Sequence, residues 1–188
     1  PGACATGTLR AKWPVWRRSP DRARSRTDTP APMTDRRTLL AMLAGAAGGG
    51  AAIALMEAFA AFGSFPLFAV PFATSIVLVM GSPEAQPAQP RALIGGHLLS
   101  TLIGLAVVKL VGPGPWASAI AVGLAVIAMQ MTGVFHLPAG INPLLVVAND
   151  LSWDFFFIPV AAGAGLLTAF AWGWHNFIRG YRWPERWT

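Results

Sequence analysis

The sequence predicts an all-α membrane protein: a polytopic helix bundle with four full spans and two short segments broken by proline and glycine. The first observation is composition, because 54% of the 188 residues are hydrophobic and only 12% are charged. A typical soluble domain carries about twice that charge. The second is that the apolar residues form runs near the roughly 20 residues that a helix needs to cross a bilayer. Alternating runs, which would predict strands, do not occur.

The elements follow from these runs in chain order. Four runs are long enough to span a bilayer: 38–62, 92–112, 116–135 and 153–178. Two shorter runs, 66–81 and 137–149, contain or border prolines, which remove a backbone donor and break a helix. We predict that each is a half-helix or a re-entrant segment. The polar, proline-rich residues 81–91 predict a loop.

The net charge of +6 comes from the N-terminus. Residues 1–37 hold nine of the 14 Lys and Arg and three of the eight acids. We predict a disordered basic tail there, then a membrane domain at 38–178 and a basic, aromatic tail at 179–188. Because Met33 precedes the first apolar run, residues 1–32 are expected to be an upstream extension that is not translated. A secretory signal is the competing interpretation.

Composition and spacing argue against several classes of function. A basic tail alone does not indicate nucleic-acid binding, and we expect no nucleic-acid partner. Cys4 is the single cysteine, so the chain cannot form an internal disulfide or a cysteine-based metal site. The three histidines and the scattered acids show no catalytic or metal-binding spacing. We therefore expect no enzyme activity, cofactor or metal.

Arginines on both sides of the membrane domain predict its orientation. The positive-inside rule places both termini in the cytoplasm, in a cell inner (plasma) membrane. The arginines concerned are Arg36, Arg37, Arg179, Arg182 and Arg186.

The number of crossings is then even. Four crossings follow if both short segments are half-helices or re-entrant, which is the preferred count, and six follow if both cross. With four, Lys109 lies at a cytoplasmic helix end, and Arg91 and Glu84 face outward with Asp150 and Asp154.

Small residues recur at four-residue spacing on the long helices. This pattern lets backbones approach closely and predicts a packed bundle and a homo-oligomer. The sets are Ala44, Gly48 and Ala52; Gly96, Ser100 and Gly104; Ala117, Ala121 and Ala125; and Gly165, Ala169 and Gly173. The order long-short-long occurs twice, with Pro71 lying 67 residues before Pro138, which is compatible with a two-fold internal repeat. Paired broken segments in two halves point to a transporter's binding site.

The stretch Met131–Val147 is the most informative part of the chain. It is apolar but contains His136, Pro138, Asn142 and Pro143. In lipid, a broken backbone persists only where it is buried in protein or lines a wet cavity. The break therefore indicates a functional site. The alternative is a proline-capped loop between two helices, with His136 an ordinary interfacial residue.

Three sets of motifs resemble the HPP family of small integral membrane proteins. They are Gly81-Ser-Pro83 with Ala88-Gln89-Pro90-Arg91, then Gly95-Gly96-His97, then His136-Leu137-Pro138-Ala139-Gly140. They follow the family's order within residues 38–178, although Leu137 stands where the family usually has its first proline. The resemblance implies a four-helix membrane protein, and some plant and cyanobacterial relatives are implicated in nitrite transport.

We therefore expect a transporter or channel-like carrier for a small inorganic anion, with nitrite implied by the resemblance alone. A membrane structural or sensory subunit that acts through helix association is the alternative. The candidate substrate-binding residues are Arg91, His97, His136, Asn142, Thr74, Ser75 and Gly140.

Each candidate has a physical rationale. Arg91 would attract the anion at the outer mouth. His97 and His136 would donate hydrogen bonds or titrate near neutral pH. Thr101, one turn after His97, is a candidate hydrogen-bond partner for it. The helix N-termini of the two short segments would supply partial positive charge without a fixed ion.

Overall fold

The computed structural model describes residues 35–63 and 67–185, and within these ranges all regular structure is helical. The all-α prediction is therefore confirmed for this part of the chain. Residues 1–34 of the predicted N-terminal tail, which include the expected untranslated extension, and Arg186 fall outside the described residues. Arg36 and Arg37, predicted to end the tail, already belong to the first helix.

Four helices are long and apolar enough to cross a membrane, as predicted. They are α1 (Arg36–Gly63), α3 (Pro90–Val111), α4 (Pro115–Thr132) and α6 (Trp153–Ile178). Their outward faces carry large apolar side chains, such as Leu110 and Trp116, which are more than four-fifths exposed. Such faces are expected to contact lipid, because exposing apolar side chains to water is unfavourable in free energy.

Two short helices lie between the long ones. They are α2 (Val70–Gly81) and α5 (Leu137–Ala148), and their bounds differ by 67 residues at both ends. Each opens with a 3₁₀ turn that contains a proline, Pro71 or Pro138. A proline fits there because the first N–H groups of a helix have no partner within the helix.

The last span contains two π-helical stretches, Phe156–Ala162 and Trp174–Ile178. Pro159 lies inside the first. Since proline supplies no N–H to the preceding turn, the helix widens there instead of keeping its regular ladder.

The contacts define two ends of the bundle. At one end, Trp174 Nε1 of α6 donates to the carbonyl of Ala44 in α1 at 3.2 Å, and Arg179 Nη1 donates to the carbonyl of Met80 in α2 at 3.1 Å. Since α1 begins here and α6 ends here, we call this the terminal end. At the opposite end, Val107 and Val108 of α3 share an apolar cluster with Phe155 of α6.

The two short helices therefore run in opposite directions. α2 reaches the terminal end at Met80, and α5 approaches the opposite end, where Val147 joins the same cluster as Val108. Within residues 35–63 and 67–185, the path therefore leads from one end of the bundle to the other six times, four times in a long helix, as predicted, and twice through a short one. Three passes precede the link Gly112–Gly114 and three follow it in inverted order, the arrangement of an inverted-topology repeat.

This path corrects the placement of three charged residues, Arg91, Glu84 and Lys109, that was predicted relative to the termini. Arg91 begins α3 at the terminal end, where its Nη2 donates to the carbonyl of Thr132 at 3.4 Å. Glu84 lines the same pocket as Arg91 and Glu185. Neither therefore faces outward with Asp150 and Asp154. Lys109 lies near the last turn of α3, at the opposite end.

Part of the small-residue pattern serves packing within the chain. A Cβ at Gly48 would meet the ring of Trp174, and one at Gly104 would lie 2.8 Å from Pro143 Cα. By contrast, a Cβ at Gly123, Gly165 or Gly173 would meet nothing within 4 Å. These glycines leave an outward surface on which the predicted self-association stays a proposal.

The segment after α6 folds back onto the terminal end. Trp183 is buried against His175, with ring centroids 5.9 Å apart. The backbone N–H of Glu185 donates to Gln89 Oε1 at 3.0 Å. The Tyr181 hydroxyl donates to Glu185 Oε1 at 2.6 Å, and this hydrogen bond raises the pKa of Tyr181 to about 12. Residues 179–185 therefore form part of the packed structure.

Candidate functional site

Five polar side chains meet in the interior of the bundle, where α2, α3 and α5 pack together. We call this set the polar network: Ser75, His97, Thr101, His136 and Asn142, each fully buried. Intramembrane polar residues are costly and usually functional. Four of the five are predicted site residues, and the fifth, Thr101, was the partner proposed for His97.

His136 anchors one end of the polar network. Its Nδ1 lies 2.6 Å from the carbonyl oxygen of Pro87, in the loop at the terminal end. Its Nε2 lies 2.8 Å from Ser75 Oγ. The His136 ring is buried, and both of its nitrogens are hydrogen-bonded within the protein. His136 is therefore not an ordinary interfacial residue.

Ser75 joins the two histidines. Its Oγ lies 2.9 Å from His97 Nε2 and 2.8 Å from His136 Nε2, while the two rings are 5.1 Å apart. Ser75 and Asn142 occupy equivalent positions of α2 and α5, because they are 67 residues apart, as are the bounds of the two helices. Both repeats thus contribute one polar side chain to His97.

Asn142 anchors the other end. Its Nδ2 lies 3.0 Å from His97 Nδ1 and 2.8 Å from Thr101 Oγ1. The Thr101 hydroxyl donates to the carbonyl of His97 at 2.7 Å, and the Ser100 hydroxyl donates to the same carbonyl at 3.2 Å. Thr101 therefore supports Asn142 and the backbone of His97, and does not bond to the His97 ring.

The hydrogen-bond directions follow from the two anchors. A carbonyl only accepts, so His136 Nδ1 carries a proton, and in the neutral ring Nε2 accepts from the Ser75 hydroxyl. The single hydroxyl proton is thereby used, and Ser75 Oγ accepts from His97 Nε2. His97 Nδ1 is left to accept from Asn142 Nδ2. With both rings neutral, all donors point from Asn142 towards Pro87.

One acceptor is left over. Asn142 Oδ1 is buried and has no hydrogen-bond partner among the described residues. Leaving a buried polar atom unpaired costs about 1–3 kcal/mol. An atom of this kind in an otherwise satisfied network calls for an explanation.

Apolar groups enclose the polar network tightly. The Phe72 ring centroid lies 4.6 Å from that of His97. A Cβ at Gly96 would lie 2.6 Å from His136 Cβ, so only glycine lets α3 approach the break this closely. Ala139 is buried beneath the same turn. The glycine and alanine of the family-like motifs thus serve packing against the histidines.

Arg91 lies outside the polar network. It is exposed and lines a pocket of about 210 Å³ at the terminal end, with Glu84, Gln86, Gln89 and Glu185. Gln89 also donates from Nε2 to the carbonyl of Pro83 at 2.8 Å and so closes the loop before α3, which Pro90 begins. The pocket borders the loop that contains Pro87. It has two acids beside one arginine, which weakens its attraction for anions.

Two other predicted site residues do not reach the polar network. Thr74 lies on the exposed face of α2, because neighbouring helix residues point about 100° apart and Ser75 takes the inward face. Gly140 is partly exposed in the 3₁₀ turn that contains Pro138, and a Cβ there would meet nothing within 4 Å.

Two groups that contact the polar network, and one buried histidine outside it, are not among the predicted site residues. The Pro87 carbonyl is a main-chain acceptor and has no sequence signature. Phe72 has no feature in the sequence that distinguishes it from the other apolar residues. His175 is fully buried and donates from Nε2 to the carbonyl of Val79 at 3.1 Å, at the other end of α2. A histidine inside a predicted span was the available signal for His175. Among the described residues, no group of three or more His, Cys, Asp or Glu side chains could hold a metal ion.

The fold and the buried polar network define a polytopic α-helical membrane protein. Residues 34–184 match the family model described as HPP, transmembrane region, and the chain belongs to that family. The resemblance in the sequence motifs is therefore confirmed.

Two relatives are transmembrane proteins of Dictyostelium discoideum. Each is 36% identical to this chain over 124 residues, which cover 62% of the chain and 40% or 44% of the relative. The chain thus spans less than half the length of these relatives. No solved structure matches it.

Proposed function

We propose that this protein carries a small inorganic anion across the membrane and is not an enzyme. The observation that carries the proposal is the polar network, a hydrogen-bonded set of side chains, fully buried where two short helices of inverted direction meet. Transporters of inverted-repeat design bind substrates at this kind of position. A packing role alone is a weaker account, since apolar residues fill such space at lower cost.

The charge distribution favours an anion over a cation. All acidic residues of the described chain lie towards the two ends, and no carboxylate belongs to α2, α3, α4 or α5. The N-terminal turns of α2 and α5 contact each other in the interior of the bundle. Helix N-termini carry partial positive charge, and His97, Ser75 and Asn142 add N–H and O–H donors. Nitrite is the first candidate substrate because of the family resemblance.

The test is uptake into liposomes that contain the purified protein, compared with protein-free vesicles. Nitrite, nitrate, formate and chloride are each supplied outside. We expect nitrite uptake above background and a fall of roughly tenfold or more for His97→Ala, equivalent to about 1.4 kcal/mol of lost interaction. Arg91→Ala should cost less, because Arg91 is exposed beside Glu84 and Glu185.

Matched variants control for folding and for surface charge. Thr168→Ala removes a hydroxyl that donates to the carbonyl of Ala164 in its own helix, and Arg182→Ala removes an exposed arginine from the same end. Both should transport like the parent. If no anion moves faster than in protein-free vesicles, or if His97→Ala transports like the parent, the proposal is wrong and the protein is better described as a structural or sensory subunit.

We also propose that both termini are cytoplasmic, in the inner membrane of the cell. Five of the six Lys and Arg residues described lie at the terminal end, and Lys109 alone lies at the other. The positive-inside rule then places the terminal end in the cytoplasm. Six passes strengthen this assignment, because they bring Arg91 to the same side as the terminal arginines.

Cysteine labelling tests both the orientation and the number of passes. In a Cys4→Ser background, the exposed sites Gln86→Cys and Asn149→Cys lie at the terminal and opposite ends. An impermeant maleimide should label Asn149→Cys in intact cells, and Gln86→Cys only after permeabilisation. Labelling of both in intact cells would restore the four-crossing path, and labelling of Gln86→Cys alone would reverse the orientation.

A further inference from the structure

The unpaired oxygen of Asn142 indicates that the polar network has a second arrangement. In the neutral arrangement, His97 Nδ1 accepts from Asn142 Nδ2, and Asn142 Oδ1 has no donor. If His97 Nδ1 gains a proton, it becomes a donor and needs an acceptor at the same place. A half-turn of the Asn142 side-chain amide supplies one, since Oδ1 and Nδ2 exchange positions. The Thr101 hydroxyl, which accepts from Nδ2 in the neutral arrangement, then turns to donate to Oδ1, and the His97 carbonyl keeps the Ser100 hydroxyl as a donor.

The hydrogen bonds among His97, Ser75 and His136 can all be kept whichever histidine carries the added proton. If the charge is on His97, the bonds from His97 through Ser75 to His136 keep their directions. If the charge is on His136, both His136 nitrogens donate, the Ser75 hydroxyl turns to His97 Nε2, and His97 carries its proton on Nδ1. One proton moved through the Ser75 hydroxyl interconverts the two forms. Both forms require Asn142 to offer Oδ1 to His97.

We propose that the polar network is a proton switch that makes the carrier a proton–anion symporter. One proton bound by His97, Ser75 and His136 turns the Asn142 amide, so that its NH₂ group takes the place of the unpaired oxygen. An acceptor-rich anion then finds two donors where the neutral state presents a lone-pair oxygen. The identity of the anion rests on the proposed function.

The charges around the site support symport. An unpaired anion at the centre of a bilayer is costly, and a bound proton makes the loaded site neutral overall. No titratable side chain belongs to α2, α4 or α5; α3 carries Arg91 and Lys109 at its ends, and α6 carries Asp154 and His175. On α1 the titratable residues are Arg36, Arg37 and Glu57. None of these groups contacts Ser75, whereas His97 of α3 and His136, the residue before α5, both do.

The first test needs no transport. The chain has three histidines, so ¹⁵N-histidine labelling in lipid nanodiscs gives three ring pairs, assigned with His175→Gln and His136→Gln variants. At high pH we expect the proton on Nδ1 of His136 and on Nε2 of His97. On acidification, His97 Nδ1 should become protonated while His136 Nδ1 stays protonated. If His97 Nδ1 stays bare over the pH range in which the protein is folded, the proton switch is wrong.

The same spectra test whether proton binding at His97 is coupled to anion binding. An anion that binds the protonated form better must raise the proton affinity of His97 by the same factor, and typical couplings are roughly 5–150-fold. Added nitrite should therefore move the titration of His97 to higher pH, and Asn142→Leu should abolish the movement. The same substitution at the exposed site Asn149→Leu should leave it intact. Equal titrations with and without nitrite would overturn the coupling.

The second test is proton movement in liposomes that contain a lumenal pH dye. Because nitrous acid crosses bilayers unaided, protein-free vesicles set the baseline. Nitrite added outside should acidify the lumen faster with the parent protein than with Asn142→Leu or without protein. Nitrite uptake with no extra acidification would overturn symport and leave the anion carrier standing. If no anion moves in any vesicle, the proposed function fails and symport with it, and the spectra still decide the proton switch.

Discussion

Gly104→Val should lower the free energy of unfolding by roughly 1–3 kcal/mol or more, the usual cost of overpacking a filled interior. A Cβ at this position would lie 2.8 Å from Pro143 Cα and 3.1 Å from Val146 Cβ. The first of these atoms is main chain and cannot rotate away. α5 must therefore shift as a unit, and Asn142, the residue before Pro143, must leave its bonds to His97 and Thr101.

The measurement is thermal unfolding in detergent, followed by circular dichroism. Gly123→Val is the matched control, since Gly123 is an exposed glycine within α4 and a Cβ there would meet nothing within 4 Å. Both substitutions place the same side chain in a helix, so helix propensity cancels and the difference reports packing. Equal melting temperatures would mean that α3 and α5 are not in close contact at Gly104.

The spans were predictable because hydrocarbon thickness fixes the length of an apolar run. The run 153–178 matches α6 at both ends, and the other three long runs match their helices to within three residues. The short segments were predictable for a related reason. Proline at the start of each ends any continuous helix, and the structure places Pro71 and Pro138 in the opening 3₁₀ turns.

The side of the membrane on which Arg91 lies was not predictable from local pattern. It depends on whether residues 64–81 return to the side they came from or continue across, and a run of this length is compatible with both. The deciding interactions are long-range: Trp174 with Ala44 and Arg179 with Met80. Such contacts between distant helices have no signature in a single sequence.

Most members of the polar network were predictable from the sequence, and the hydrogen bonds between them were not. Histidine, serine and asparagine inside apolar runs are expected to find one another, because the bilayer offers them no other partners. The Pro87 carbonyl, which fixes every donor direction, is a main-chain group that any residue type supplies. Thr74 and Ser75 were equivalent in the sequence, and only the rotation of α2 against α3 decides which faces inward.

Ser75→Ala should be the most destabilising single-atom deletion in the polar network. The hydroxyl is bonded to His97 Nε2 at 2.9 Å and to His136 Nε2 at 2.8 Å. Its removal leaves one donor and one acceptor unpaired in a fully buried place. At about 1–3 kcal/mol for each orphaned group, the expected loss in the free energy of unfolding is roughly 2–6 kcal/mol.

Ser118→Ala removes the same atom from another buried serine. The Ser118 hydroxyl donates to the Gly114 carbonyl at 3.1 Å, and that carbonyl also accepts the Ser118 backbone N–H at 2.9 Å. No group is orphaned, so the change in stability should stay within about 0.5 kcal/mol. Thermal unfolding of the two variants side by side decides the matter. Because each loses one oxygen from a buried helix position, equal melting temperatures would mean that Ser75 does not link the two histidines.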